Sequence, residues 1–128
     1  MTRDDIFAKV REVLVEALGV DDDEVIPTAS LVNDLGAESI DFLDIVFQLE
    51  RNFGFKVGQG ELFPEGVAQD PRYVQGGKVT PEGLAALKAK LPHVDFSEFE
   101  KDPQLSKVGG VFTVDSLVNF VAKKMNVA

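Results

Sequence analysis

Ile6, Phe7, Val10, Val13, Leu14, Ala17 and Leu18 recur at three- and four-residue steps, the spacing of a helix with one apolar face. The pattern predicts a helix over about 3–18. Thr2 suits its N-cap, Asp4 and Asp5 fall in the first turn, where the helix dipole favours anions, and Gly19 is placed to end it. A second periodic run, from about Ser39 to Phe53, sets Leu43, Val46, Leu49 and Phe53 along one stripe, with Phe42 and Ile45 beside it and Gly54 as the stop. A third helix is expected from Pro81 to about Leu91. Thr80 would cap it, Leu84, Leu87 and Leu91 would form its apolar face, and Pro92 would end it. The last helix follows Thr113 and runs to about Lys124. Val114, Leu117, Val118, Phe120 and Val121 are its periodic positions, and Lys123 and Lys124 suit its carboxyl end.

The connections differ in character. Residues 20–38 hold four consecutive acids, Asp21 to Glu24, and then Val25, Ile26, Leu31 and Leu35, which are expected to anchor the segment to the core. Residues 54–112 hold nine of the eleven glycines and five of the six prolines, which break long elements. Within them, 56–79 reads as loop with a short turn at most. Val94 to Phe99 alternates like a strand, while Phe96 and Phe99 also fit a helical turn, and both readings stay open. Phe63, Tyr73, Phe96, Phe99 and Phe112 could enlarge the core, widen or cover a cavity, or form a docking surface.

At 128 residues and 45% hydrophobic composition, the chain suits one domain with its own core. No apolar run reaches the roughly 18 residues a membrane span needs. The charged start lacks the order of a secretory signal, so a cytoplasmic location is expected. With no cysteine, disulfides, thiolate metal sites and cysteine nucleophiles are excluded. His93 is the one histidine and is expected at the surface or as a cap. Asp21 to Glu24 lacks a calcium-loop pattern and reads as a solvated loop. No catalytic residue and no metal site is expected.

The net charge of −9 is unevenly placed. Residues 1–54 carry 13 acids and 4 bases, whereas residues 55–128 carry 9 of each. Such a field disfavours nucleic acid and steers partners with basic patches toward one end of the molecule.

Asp34-Leu35-Gly36-Ala37-Glu38-Ser39-Ile40-Asp41 places one serine at the start of the second helix, after a glycine turn and among acids. No base is evident beside Ser39, so it reads as an attachment point and not as a nucleophile. The segment resembles the prosthetic-group site of the acyl carrier protein family. The resemblance spans the first helix, the acidic connection and the second helix. It resumes at Phe112-Thr113-Val114-Asp115-Ser116-Leu117-Val118, which is similar to the family's closing helix. Glu38 and Ile40 depart from the usual aspartate and leucine, and the link between the second and last helices is much longer than usual.

The resemblance implies an all-α, acyl-carrier-like four-helix bundle, one domain over 1–128 with an insertion at about 55–112. It implies 4′-phosphopantetheine attached covalently to Ser39, carrying acyl groups as thioesters for fatty-acid or specialised lipid biosynthesis. The partners implied are a phosphopantetheinyl transferase and an acyl-loading enzyme, synthase or acyltransferase with basic docking patches. Glu38, Ile40, Asp41, Asp44, Phe47 and Glu50 would form the docking face. Leu43, Val46, Leu49, Phe120 and Val121 would line an acyl pocket. A monomer is expected. An aminoacyl or peptidyl carrier and an unmodified acidic helical adaptor are the alternatives.

Overall fold

In a computed structural model that describes residues 1–58, 61–62 and 70–127, the first and last helices pack against each other. Helix α1 (Arg3–Leu18) starts as its sequence dictates. Thr2 Oγ1 accepts the N–H of Asp5 at 3.2 Å, and Asp5 Oδ2 accepts the N–H of Thr2 at 2.9 Å. Two otherwise unpaired N–H groups are thereby satisfied together. Gly19, at φ +68°, ends the helix. The face carrying Ile6, Val10, Val13 and Leu14 is buried against α2 (Ser39–Phe53) and α5 (Val114–Lys124). Arg3 fastens this pairing through an ion pair with Asp115 at 3.2 Å and a hydrogen bond to Asn119 Oδ1.

The acidic connection is pinned at several points. Asp22–Glu24 forms an exposed 3-10 turn, and Val25, Leu31 and Leu35 are buried. Ile26 does not anchor it. Val25 takes the inward position and its neighbour Ile26, 48% exposed, faces out. Leu31 N–H donates to Phe112 O at 2.8 Å, and Val114 N–H donates to Ala29 O at 3.0 Å. These bonds tie the approach to α2 to the start of α5.

The long segment between α2 and α5 has a defined fold. A hairpin, β1 (Val74–Gln75) with β2 (Lys78–Val79), turns at Gly76 and Gly77 within the stretch expected to be loop. Both glycines have positive φ, as the tightest hairpin turn demands. Helix α3 (Pro81–Lys90) follows, with Thr80 Oγ1 accepting the N–H of Gly83 at 3.1 Å. Gly83 lies against Tyr73 so closely that a Cβ there would meet Tyr73 Cα at 2.9 Å and its carbonyl closer still. Residues 94–96 are irregular and Ser97 opens the short helix α4 (Ser97–Lys101), so no strand forms there, and Phe96 and Phe99 are buried. A 3-10 stretch over Leu105–Val111 then reaches Thr113, whose Oγ1 caps α5 by accepting the N–H of Ser116.

His93 corrects the expectation of a surface or capping residue. It is 4% exposed, packs edge-on to Phe120 at 5.0 Å between ring centres, and its Nε2 is 3.1 Å from Leu62 O. Asn119 Nδ2 donates to the carbonyl of His93 at 3.2 Å. Lys124 pairs with Glu61 at 2.6 Å nearby. The segment between α2 and α5 is therefore clasped onto α5, and Phe96, Phe99 and Phe112 join one core with α1 and α2. Phe63 lies outside the described residues. The architecture is the expected all-α bundle, with five helices and one two-stranded hairpin among the described residues. No helix among those residues is long and apolar enough to cross a membrane.

Candidate functional site

The turn that delivers Ser39 is built from the residues before it. Asp34 Oδ2 accepts the N–H of Ser30 at 2.7 Å, and Ser30 Oγ accepts the N–H of Asn33 at 3.1 Å. Leu35 and Ala37 are buried, and Ala37 N–H donates to Leu31 O at 2.8 Å. Between them Gly36 turns the chain at φ +72°, a backbone conformation that costs a side-chain-bearing residue strain. Glu38 is extended, and its N–H donates to Asp41 Oδ2 at 2.8 Å. Ser39 is then the first residue of α2.

This position fits a phosphodiester. The first N–H groups of a helix lack partners within it, and its dipole places positive potential there. Asp34, Gly36 and Asp41 thus act through the backbone, shaping the approach to Ser39. The backbone N–H groups at the start of α2 are the donors that could meet a phosphate there, since no lysine or arginine lies between Arg11 and Arg51 in the sequence.

The outward face of α2 carries an apolar strip. Ile40, Leu43 and Phe47 are 74%, 58% and 57% exposed. Asp44 is exposed beside them, and its Oδ2 accepts from Gln48 Nε2 at 3.1 Å. Glu38 is exposed and Asp41 half-buried. Glu50 is half-buried, with Oε2 accepting the N–H of Val57 at 2.8 Å. It holds the chain leaving α2, and only part of its carboxylate remains for a partner.

Leu43 is corrected from pocket to surface. The inward stripe is Ile45, Leu49 and Phe53, with Phe42 and Val46 half-buried at its edges. Leu49, Phe120 and Val121 are buried in the core, and Val46 packs against it. Gln48, which the hydrophobic pattern leaves out, is also inside, 4% exposed with its Oε1 unpartnered among the described residues. An aromatic series crosses this interior. Phe53 stacks on Phe55 at 5.9 Å, and Phe55 meets Phe120 edge-on at 6.2 Å.

The family described as "Phosphopantetheine attachment site" matches residues 8–65. That region holds most of α1, all of α2 and the turn before Ser39. An acyl carrier protein of Thermotoga maritima is 44% identical over 61 residues, covering 48% of this chain and 75% of the relative. An acyl carrier protein of Petrotoga mobilis is 42% identical over 62 residues, covering 48% of this chain and 73% of that relative. No solved structure matches the chain. The shared segment is the one that forms the turn, the serine and the helix behind it, and on that ground the chain belongs to the acyl carrier protein family, whose members carry 4′-phosphopantetheine covalently.

Proposed function

We propose that Ser39 is the attachment residue, and that the chain ferries acyl groups between enzymes of fatty-acid or specialised lipid biosynthesis. The observation that carries this reading is the position of Ser39 as the first residue of α2, delivered by the Asp34–Gly36 turn and followed by an exposed apolar strip. The arm, when attached, supplies the thiol that holds the acyl group. The protein's own residues position and present it, and catalyse nothing.

In this reading the backbone at the start of α2 stabilises the phosphodiester. Ile40, Leu43 and Phe47 offer a partner an apolar contact. Glu38, Asp41 and Asp44 surround it with negative charge that steers a basic patch into place. The core around Val46, Leu49, Phe120 and Val121 is the proposed shelter for an acyl chain, which would have to part side chains that now pack together. The clasped insertion suits a specialised carrier, because it adds its own aromatics to that core. The partners are a phosphopantetheinyl transferase and acyl-handling enzymes, and the proposed location is the cytoplasm.

The test is intact-protein mass after incubation of the unmodified chain with a broad-specificity transferase and coenzyme A, beside Ser39→Ala. The expected result is the gain of one phosphopantetheine in the parent alone. Gain by Ser39→Ala, or no gain in a folded parent, overturns the assignment.

A further inference from the structure

The outward face of α2 changes sign along its length. Asp44, Phe47 and Arg51 follow at i, i+3 and i+7 and so share that face with Ile40. Glu38, Asp41 and Asp44 occupy its first half. Arg51 is exposed in the last turn, and Lys56 is exposed just beyond Gly54. Phe47, Glu50, Gly54 and Phe55 border a surface recess of about 420 Å³ together with these two cations. Glu50, the acid nearest in sequence to Arg51, is partly committed to the N–H of Val57. Among the described residues neither Arg51 nor Lys56 forms an ion pair. A cation in the last turn of a helix has a plain structural use, since it offsets the dipole. That use accounts for neither Lys56 nor the aromatic walls of the recess.

We infer that this end of α2 is a second recognition point, which takes a carboxylate side chain from the acyl-handling enzyme. The inference rests on α2 being the docking face. The cognate enzyme then presents basic groups to Asp41 and Asp44, an apolar contact to Phe47, and an aspartate or glutamate to Arg51, about 10 Å beyond Asp44 by the rise of seven helical residues. Phe47 and Phe55 border a recess that is open to solvent, and the enzyme surface that covers it would displace water there and strengthen the attraction of the carboxylate to Arg51 and Lys56. The same cations repel an enzyme whose patch is basic throughout. The face therefore selects among partners as well as attracting them.

The test uses the full chain carrying its arm. The probe is a malonyl-CoA acyltransferase from a bacterial fatty-acid system, chosen for a wholly basic docking patch. Malonyl transfer at low salt is compared for the parent, Arg51→Glu/Lys56→Glu, the neutral Arg51→Gln/Lys56→Gln, and Asp44→Lys. The expected result is a several-fold rise in kcat/KM for the glutamate pair, a smaller rise for the glutamine pair, and a fall for Asp44→Lys, all reduced at high salt. Replacing the facing patch lysine of the acyltransferase by glutamate should reverse the preference in favour of the parent. If Asp44→Lys slows transfer while both double variants match the parent, the second recognition point is overturned and the docking face stands. If Asp44→Lys matches the parent as well, the docking face itself is overturned.

Discussion

Leu43 and Leu49 are six residues apart on one helix, yet Leu43 stands 58% exposed while Leu49 is fully buried. Six steps of an α-helix turn through about 240° beyond one revolution, so the two cannot share a face. Leu49→Ala is therefore expected to cost about 2–5 kcal/mol. Leu43→Ala should stay within about 0.5 kcal/mol and instead slow loading by a transferase. Urea unfolding and loading kinetics on both variants check this. A stable Leu49→Ala, or an unfolded Leu43→Ala, would sink the orientation assigned to α2.

Gly36 turns the chain at φ +72° with nothing within 4 Å of where a Cβ would sit. Gly36→Ala meets backbone strain and no collision. It should lose about 1–2 kcal/mol and load more slowly, as the turn before Ser39 relaxes. Thermal melting read with a loading assay tests the pair of effects, and parent-like values in both would refute the role given to the turn.

Burial holds the pKa of His93 below its ordinary value, with Lys123 acting the same way and the Leu62 carbonyl and Glu61 opposing. The unfolded state then binds a proton more readily than the folded state. The contribution of His93 to stability is complete above the unfolded value of about 6.5 and is lost as pH falls through the lower, folded value. Glu61, lowered chiefly by its bond to Lys124, weakens the same clasp at more acid pH. Unfolding midpoints across this range should fall for the parent, and His93→Phe should flatten the part nearest neutrality. Parallel curves for the two proteins would show that His93 does not report the clasp.

Gly83 sits inside α3, where alanine would ordinarily stabilise by about 1 kcal/mol. Here the added methyl meets the backbone of Tyr73. Gly83→Ala is expected to be destabilising by about 1–3 kcal/mol. Hydrogen exchange should localise the loss to the hairpin and α3, and a raised melting temperature would contradict the close approach.

Where a helix began or ended, local chemistry was enough to read it. Thr2, Thr80 and Thr113 each accept a backbone N–H as caps, and Gly19 and Gly54 leave their helices at positive φ. The Ser39 segment was legible for a similar reason, since its turn is made by neighbours in sequence. The orientation of α2 was not. Ile40, Phe42, Leu43, Ile45, Val46, Phe47, Leu49 and Phe53 spread round most of its circumference, and periodicity cannot choose the buried side. The choice comes from α1, which packs on one side only. His93 was hidden because its surroundings, Leu62 and Phe120, lie 31 and 27 positions away. The hairpin has two-residue strands, too short to show alternation around its Gly-Gly turn.

The clasp joins near neighbours, whereas Arg3 reaches Asp115 across 112 positions. His93 reaches Leu62 across 31 positions, and Asn119 reaches His93 across 26. Closing the longer loop costs about 1 kcal/mol more in chain entropy. The two local pairings, α5 with the segment before it and α1 with α2, should therefore form ahead of the α1–α5 contact that joins them. Arg3→Ala, which removes only the long-range tie, should leave the early protection of α1, α2 and α5 amides unchanged and speed unfolding instead. The long connection is then more than a tether, since its clasp delivers α5 to the α1–α2 pair as a preassembled half.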